Sequence, residues 1–374
     1  MVNAILINDL GNGGAERVVS KIINRTANKS LLIQIWPEQF NKVICEQTFF
    51  LLEKKGFIFF DLLKASLALY KLIKQENITT INSHLFWANY LNVFVSLFTK
   101  HITISTHCVS FVSKFQNQKI VGFFHRCIST FLFKKSDTHI YKSYDMMKEY
   151  ESLFKLKGGN VIYNPMNIRD VIELSKESVD FNFDSEKKYL LCVGRFHPTK
   201  NQSSLIKALS DLPTEYEVIF LGGGDTMAKC ESLAVDLNIR NRTHFLGQCS
   251  NPYPFYRNAD VYVSASKSEG FPNALVEAIV LKCYPIHFDC SNGPREILSS
   301  SYKNQPMDTH PHFDIYGLGI LLKNDETADI TNAIQYKFSS SAVLSDIQRI
   351  EFLSLVESKY IFSLYELVFN ESCK

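Results

Sequence analysis

Two glutamates eight residues apart, Glu269 and Glu277, stand in the run Ser268-Glu-Gly-Phe-Pro-Asn-Ala-Leu-Val-Glu-Ala278. Gly270 and Pro272 bend the chain between them, and a helix opening at Asn273 sets backbone N–H groups beside the bend. Glu269 falls in the turn after an apolar strand. Glu277 falls in the first turns of the helix, where a carboxylate serves equally well as a plain dipole partner or cap. Further upstream, Cys192-Val-Gly-Arg195-Phe-His-Pro-Thr-Lys200-Asn201 places two cations just past another strand. Arg195 offers a planar fork of donors and Lys200 a point charge at a helix start. Such a pair neutralises a departing diphosphate without a metal ion, or else is simply a pair of surface cations. Near the start, Asn8-Asp-Leu-Gly11-Asn-Gly13-Gly14-Ala-Glu16-Arg17 joins a strand to a helix. Gly13 and Gly14 let the backbone approach a phosphate, which the helix dipole and N–H groups favour. The alternative is a tight turn and no more. The spacing is not G-x-G-x-x-G, because Glu16 holds the third position, and no acid ends the second strand at Gln34-Ile-Trp36-Pro37. A dinucleotide site is disfavoured on both counts.

The elements that must carry these residues follow an α/β rhythm. Strands are predicted at Val2–Ile7, Leu31–Trp36, Ile78–Asn82, Ile102–Ser105, Thr138–Tyr141 and Val161–Tyr163, with a helix at Ala15–Ala27 and further helical segments between. Turn signals at Asn164–Asn167 mark a hinge, and a second series opens at Tyr189–Val193. It runs through strands Glu217–Leu221, His244–Leu246, Val261–Ser264 and Pro285–Phe288. Its helices are Ser203–Leu212, Thr226–Leu237, Asn273–Lys282 and Pro294–Ser299. Strand–helix alternation implies parallel sheets covered on both faces. The expected architecture is two Rossmann-like domains, 1–165 and 166–349, facing each other across a cleft. A helical tail, 350–374, is expected to cross back to the first.

Composition narrows the classes. The chain has 374 residues, 46% hydrophobic and 21% charged, enough for two ordinary cores. The start reads as a strand rather than a signal peptide, and no apolar run approaches the ~20 residues of a membrane span. Nine cysteines without a C-x-x-C pair point to reduced thiols in the cytoplasm and to no metal site. The net charge of +2 conceals an uneven distribution: residues 1–165 hold 20 Lys and Arg against 11 Asp and Glu. A basic half either leans on an anionic surface such as phospholipid or a lipid diphosphate, or is a solvated face. Nucleic acid is not expected, since no recognised motif and no dense basic block occurs.

The assembly resembles the retaining, nucleotide-sugar-dependent glycosyltransferase-4 family, of GT-B fold (glycosyl transferases group 1). The matching runs are Gly13–Glu16, Val193–Arg195 with Lys200–Asn201, Gly222–Asp225, Asn258–Ser266, the Glu269/Glu277 pair and Ser291–Glu296. The resemblance implies that Arg195 and Lys200 grip a donor diphosphate and that Glu277 accepts bonds from ribose hydroxyls. It also implies that Glu269 faces the donor sugar, with the N–H groups of Phe271, Asn273 and Ala274 close by. The strand end at His244–Gly247, with Leu246, would flank the nucleobase. His107 would reach the donor sugar, with His84 the rival histidine, and Gly13 and Gly14 would serve an acceptor or phosphate loop. No cofactor and no metal is required; the partners are a nucleotide-sugar donor, UDP before GDP, and a saccharide or lipid-diphosphate-linked acceptor. Surface-polysaccharide synthesis, with peripheral contact at the inner membrane through Phe123–Arg126 and Phe131–Lys135, is the expected setting. Two readings from other classes stay open: a nucleotide-sugar 2-epimerase and a catalytically silent binding subunit.

Overall fold

The central strands, such as those carrying residues 4–7, 31–33, 218–221 and 261–263, are near-continuous apolar runs buried on both faces, as a covered parallel sheet requires. The structure, a computed structural model, describes residues 2–11, 13–26, 30–38, 43, 45, 47–300 and 305–371. The chain divides into two compact units: Met1–Pro165 with Ser358–Lys374, and Met166–Glu357.

In the first unit the strands are β1 Val2–Ile7, β2 Ser30–Gln34, β3 Thr48–Phe50, β4 Ile78–His84, β5 Ile102–His107, β6 Thr138–Tyr141 and β7 Asn160–Val161. They form one parallel sheet in the order β3-β2-β1-β4-β5-β6-β7, whose direction of growth reverses between β1 and β4. Alternate residues serve opposite layers. Ala4, Leu6, Ile33 and Ile81 pack under helices Ile58–Gln75 and Phe86–Thr99. Ile5, Ile7, Leu32, Ile104 and Ile140 pack against Gly14–Thr26 and Ser358–Glu371.

In the second unit the strands are β8 Lys188–Val193, β9 Tyr216–Leu221, β10 Thr243–Phe245, β11 Val261–Ser264, β12 Tyr284–Phe288, β13 Asp308–Thr309, β14 Phe313–Tyr316 and β15 Gly319–Leu322. The order is β10-β9-β8-β11-β12-β15-β14-β13, parallel through β15 and antiparallel beyond it. The hairpin β14–β15 turns on Gly317-Leu318. Gly319, at φ +141°, is required there, because a Cβ would come within 2.4 Å of the Pro285 carbonyl oxygen.

The tail departs from the expected single segment beginning at residue 350. Asp346–Val356 stays with the second unit, and the chain passes to the first only at Ser358. Glu357 breaks the helix with φ −56° and ψ 129°, an extended conformation that lets it pair with Met166. The following helix buries Ile361, Tyr365, Val368 and Phe369 in the first unit's core.

Candidate active site

Ligands of open parallel sheets bind beyond the carboxyl ends of the strands where the strand order reverses. In the second unit that point lies between β8 and β11. Lys200 follows β8 and Glu269 follows β11, and their side chains meet there, Nζ to Oε1 at 2.5 Å. The two loops are joined by the main chain as well: the Lys267 N–H donates to the Thr199 carbonyl at 2.7 Å. Asn201, left-handed at φ 51°, turns the chain into helix Gln202–Ser210 and donates to Asp325 at 3.0 Å. Asp325 also pairs with Lys267 at 2.7 Å.

Glu269 is held ionised. Burial pushes its carboxyl upward, but Lys200 outweighs burial, with help from His287 and Ser266, so the group sits below the ordinary carboxylate value. His287, at the end of β12, is fully buried, and its Nδ1–H donates to the Phe288 carbonyl at 2.7 Å. That bond fixes the neutral tautomer with its lone pair at Nε2, which has no partner among the described residues. Burial lowers the His287 imidazole despite the pull of Glu269. The sequence reading did not single this residue out; a histidine at the apolar end of a strand was the available signal.

Eight residues beyond Glu269, Glu277 lies on helix Asn273–Val280 and accepts a hydrogen bond from the buried Tyr256 hydroxyl at 3.2 Å. Burial keeps Tyr256 a neutral phenol, which makes it a fixed donor that orients the carboxylate. The bend before the helix is packed from outside: Gly293, at φ +106°, lies so near that a Cβ would reach Pro272 Cδ at 2.8 Å. Phe271 is buried, while Asn273 and Ala274 are half-exposed at the helix start. Leu246 is exposed just past β10, its N–H bonded to the Phe220 carbonyl at 3.1 Å.

Arg195 is exposed, and its guanidinium has no ion-pair partner among the described residues. Its position is set by backbone. The turns after β8 and β9 touch directly: Phe196 N–H donates to the Gly223 carbonyl at 2.9 Å, and Gly194 N–H to Leu221 at 2.9 Å. Gly222 has φ +139°, and a Cβ there would sit 2.1 Å from the Gly194 carbonyl oxygen. Gly222→Ala combines a disfavoured φ with a main-chain clash, so it is expected to cost about 3 kcal/mol. For a unit of this size that lowers Tm by roughly 6–12 °C in calorimetry, and an unchanged Tm would refute the contact.

In the first unit the expected histidine is placed otherwise. His107 is 1% exposed at the end of β5, stacked on Tyr141, tilted against Tyr150 and edge-on to Phe133. Because the Phe133 carbonyl accepts from His139 Nε2 at 3.1 Å, neutral His139 accepts at Nδ1 from His107 Nε2, 3.1 Å away. The expectation that His107 reaches a donor sugar is therefore corrected: the ring lies in an aromatic core with no surface to offer a ligand. The rival, His84, is fully buried too, with Nδ1 3.9 Å from Cys108 Sγ. At the glycine-rich turn the Glu16 carboxylate folds back over Gly13, where a Cβ would come within 2.1 Å of its Oε2. The anion found at that helix start is the chain's own; Asn12 lies outside the described residues. Lys142, also missed in the sequence, is buried and donates to Tyr365 Oη at 2.6 Å, tying the Ser358–Glu371 helix to the sheet. Burial lowers its ammonium to about 8. Among the described residues no group of three or more His, Cys, Asp or Glu side chains is arranged to hold a metal.

Two parallel-sheet units, with a charged pair at the switch point of the second, match known proteins. The family described as Glycosyl transferases group 1 matches residues 175–305. An uncharacterised glycosyltransferase of Methanocaldococcus jannaschii is 28% identical over 274 residues, 69% of this chain and 67% of its own. The Campylobacter jejuni N-acetylgalactosamine-N,N'-diacetylbacillosaminyl-diphospho-undecaprenol 4-alpha-N-acetylgalactosaminyltransferase is 23% identical over 336 residues, 86% of this chain and 90% of its own. Among solved structures, Anabaena Alr3699/HepE in complex with UDP has a TM-score of 0.75 at 14% identity, covering 99% of this chain and all of that one. The fold is thus GT-B. With these relatives, the chain is an enzyme of the glycosyltransferase class.

Proposed function

We propose that the chain is a retaining glycosyltransferase that moves a hexose or N-acetylhexosamine from a UDP-sugar to a saccharide or lipid-diphosphate-linked saccharide. The observation that carries this reading is the Lys200–Glu269 pair at the switch point of the second unit, with Arg195 exposed on the same loop after β8. Arg195 and Lys200 take the donor diphosphate and neutralise the charge that develops as it leaves, so no metal ion is needed. Glu277, oriented by Tyr256, accepts from the ribose hydroxyls. The N–H groups of Phe271, Asn273 and Ala274 border the sugar and diphosphate, and Leu246 borders the base. Glu269, ionised beside Lys200, positions the sugar and stabilises positive character at its anomeric carbon. The anomeric C–O bond breaks first. The acceptor oxygen then bonds the same face of that carbon, and its proton passes to the departing diphosphate oxygen. UDP as the nucleotide is supported by the UDP complex of the Anabaena structure, and a lipid-diphosphate acceptor by the undecaprenol-linked substrate named for the Campylobacter relative.

A thermal-shift panel of UDP, GDP, ADP and UDP-sugars on wild type and Glu277→Ala tests this. At about 100 Kd of ligand, UDP is expected to add ~2.7 kcal/mol to wild type, and that gain disappears in the variant. No shift with any nucleotide in a folded sample contradicts the donor site and favours a binding subunit. Interconversion of UDP-sugar epimers without transfer would favour the epimerase.

A further inference from the structure

The first unit carries an apolar surface that its own fold does not use. Helices Ile58–Gln75, Phe86–Thr99 and Lys119–Leu132 lie side by side in one layer over the sheet, the second touching both others. Each has a buried stripe and a second apolar stripe on its outer side. In Ile58–Gln75, Ala65, Leu69, Leu72 and Ile73 face the core, while Phe59, Phe60, Leu63, Leu67 and Tyr70 are exposed. In Phe86–Thr99 the exposed set is Phe94, Leu97 and Phe98, the last 64% accessible. In Lys119–Leu132 it is Ile120, Phe123, Phe124, Ile128 and Phe131, with Phe123 at 64% and Phe131 at 61%. Soluble proteins rarely expose contiguous apolar surface on this scale unless something covers it.

The charges say what kind of partner fits. Asp61 is the sole acid in the three helices, and it is turned inward onto Trp36 Nε1 at 3.0 Å and the Gly56 N–H at 2.8 Å. Every exposed charge on the three helices is positive, among them Lys64, Lys71, Lys74 and Arg126, and Lys134 and Lys135 follow directly. The exposed acid nearby, Asp137, is held by Thr103, its Oδ2 accepting from the Thr103 N–H and hydroxyl at 2.8 Å. Phe123, Arg126, Thr130, Phe131, Lys134 and Lys135 line one open groove, apolar in its floor and cationic at its rim. A second copy of the chain is a poor occupant, because a two-fold interface would set these cations against one another. No helix among the described residues is long and apolar enough to cross a membrane.

We propose that this outer face docks the enzyme on an anionic lipid bilayer, with its aromatic rings at the headgroup–acyl boundary and its Lys and Arg side chains among the phosphates. The site in the second unit plays no part in the argument, so the docking stands or falls apart from the donor reading. Flotation of the full chain with vesicles decides it. Binding to phosphatidylcholine vesicles containing about one third phosphatidylglycerol is expected to be at least ~10-fold stronger than to phosphatidylcholine alone. Phe123→Ser with Phe131→Ser, and separately Lys134→Glu with Lys135→Glu, each weaken it about tenfold without altering the melting temperature. Equal binding to both vesicles, no binding to either, or variants that bind like wild type would overturn the proposal. A concentration-dependent dimer that Phe123→Ser abolishes, with no vesicle binding, would assign the face to a second copy instead.

Discussion

Acidification from about pH 7.5 to 5.5 is expected to lower the stability of the first unit by several kcal/mol and to melt it before the second. Four of its histidines, His84, His101, His107 and His139, are buried in the neutral form. Burial holds His101 and His139 down to about 4, and His84 and His107 well below the ordinary 6.5. In the unfolded chain each would take a proton near pH 6.5. The unfolded state therefore binds more protons across the window from 6.5 down to about 4. The stabilisation is complete above 6.5 and is lost as pH falls toward the folded value, at up to about 1.4 kcal/mol per pH unit for each ring. In the second unit burial lowers His287 as well. Calorimetry at the two pH values should show two transitions, with the first unit's moving further. Equal displacement of both would contradict the account.

Lys200→Ala is expected to reduce kcat/KM for sugar transfer by about 10²–10³, the loss that follows removal of one pre-placed donor to a developing charge. A second consequence separates this from a merely structural role. Lys200 is what keeps the Glu269 carboxyl low against burial. Without it, burial acts with much less opposition and the carboxyl rises, so the acid limb of the pH–rate profile moves upward. Lys200→Arg keeps the charge and is expected to leave that limb near its wild-type position. An alanine variant with an unmoved acid limb would sink the pairing of these two groups as a catalytic feature.

How much of this was legible depended on whether the signal was local. Val2–Ile7, Thr138–Tyr141 and Val261–Ser264 match their predicted bounds, because apolar strands flanked by polar turns announce themselves over a few residues. The turns at Gly194, Gly222 and Gly293 were legible as motifs, since each needs a conformation that glycine supplies. The hairpin β13 to β15 was not read. Its strands are short, and β14 and β15 turn on a two-residue link, so they look like a continuous apolar loop. The tail's break at Glu357 has no breaker residue; pairing with Met166, distant in sequence, imposes it. His107 follows the same logic. Its place in the sequence shows a strand end, whereas its burial depends on Phe133, Tyr141 and Tyr150 arriving from other elements.

The turns after β8 and β9 are joined by main-chain hydrogen bonds, Phe196 N–H to the Gly223 carbonyl and Thr226 N–H to the Phe196 carbonyl. The geometry that aims Arg195 therefore asks nothing of the side chains at that position or at Asp225. Substitutions there alter the charge presented at this surface while the scaffold beneath is left as it was. If Arg195 meets the donor as proposed, divergence in sugar-nucleotide preference can accumulate along this rim one residue at a time, with the glycines as the part that must not drift.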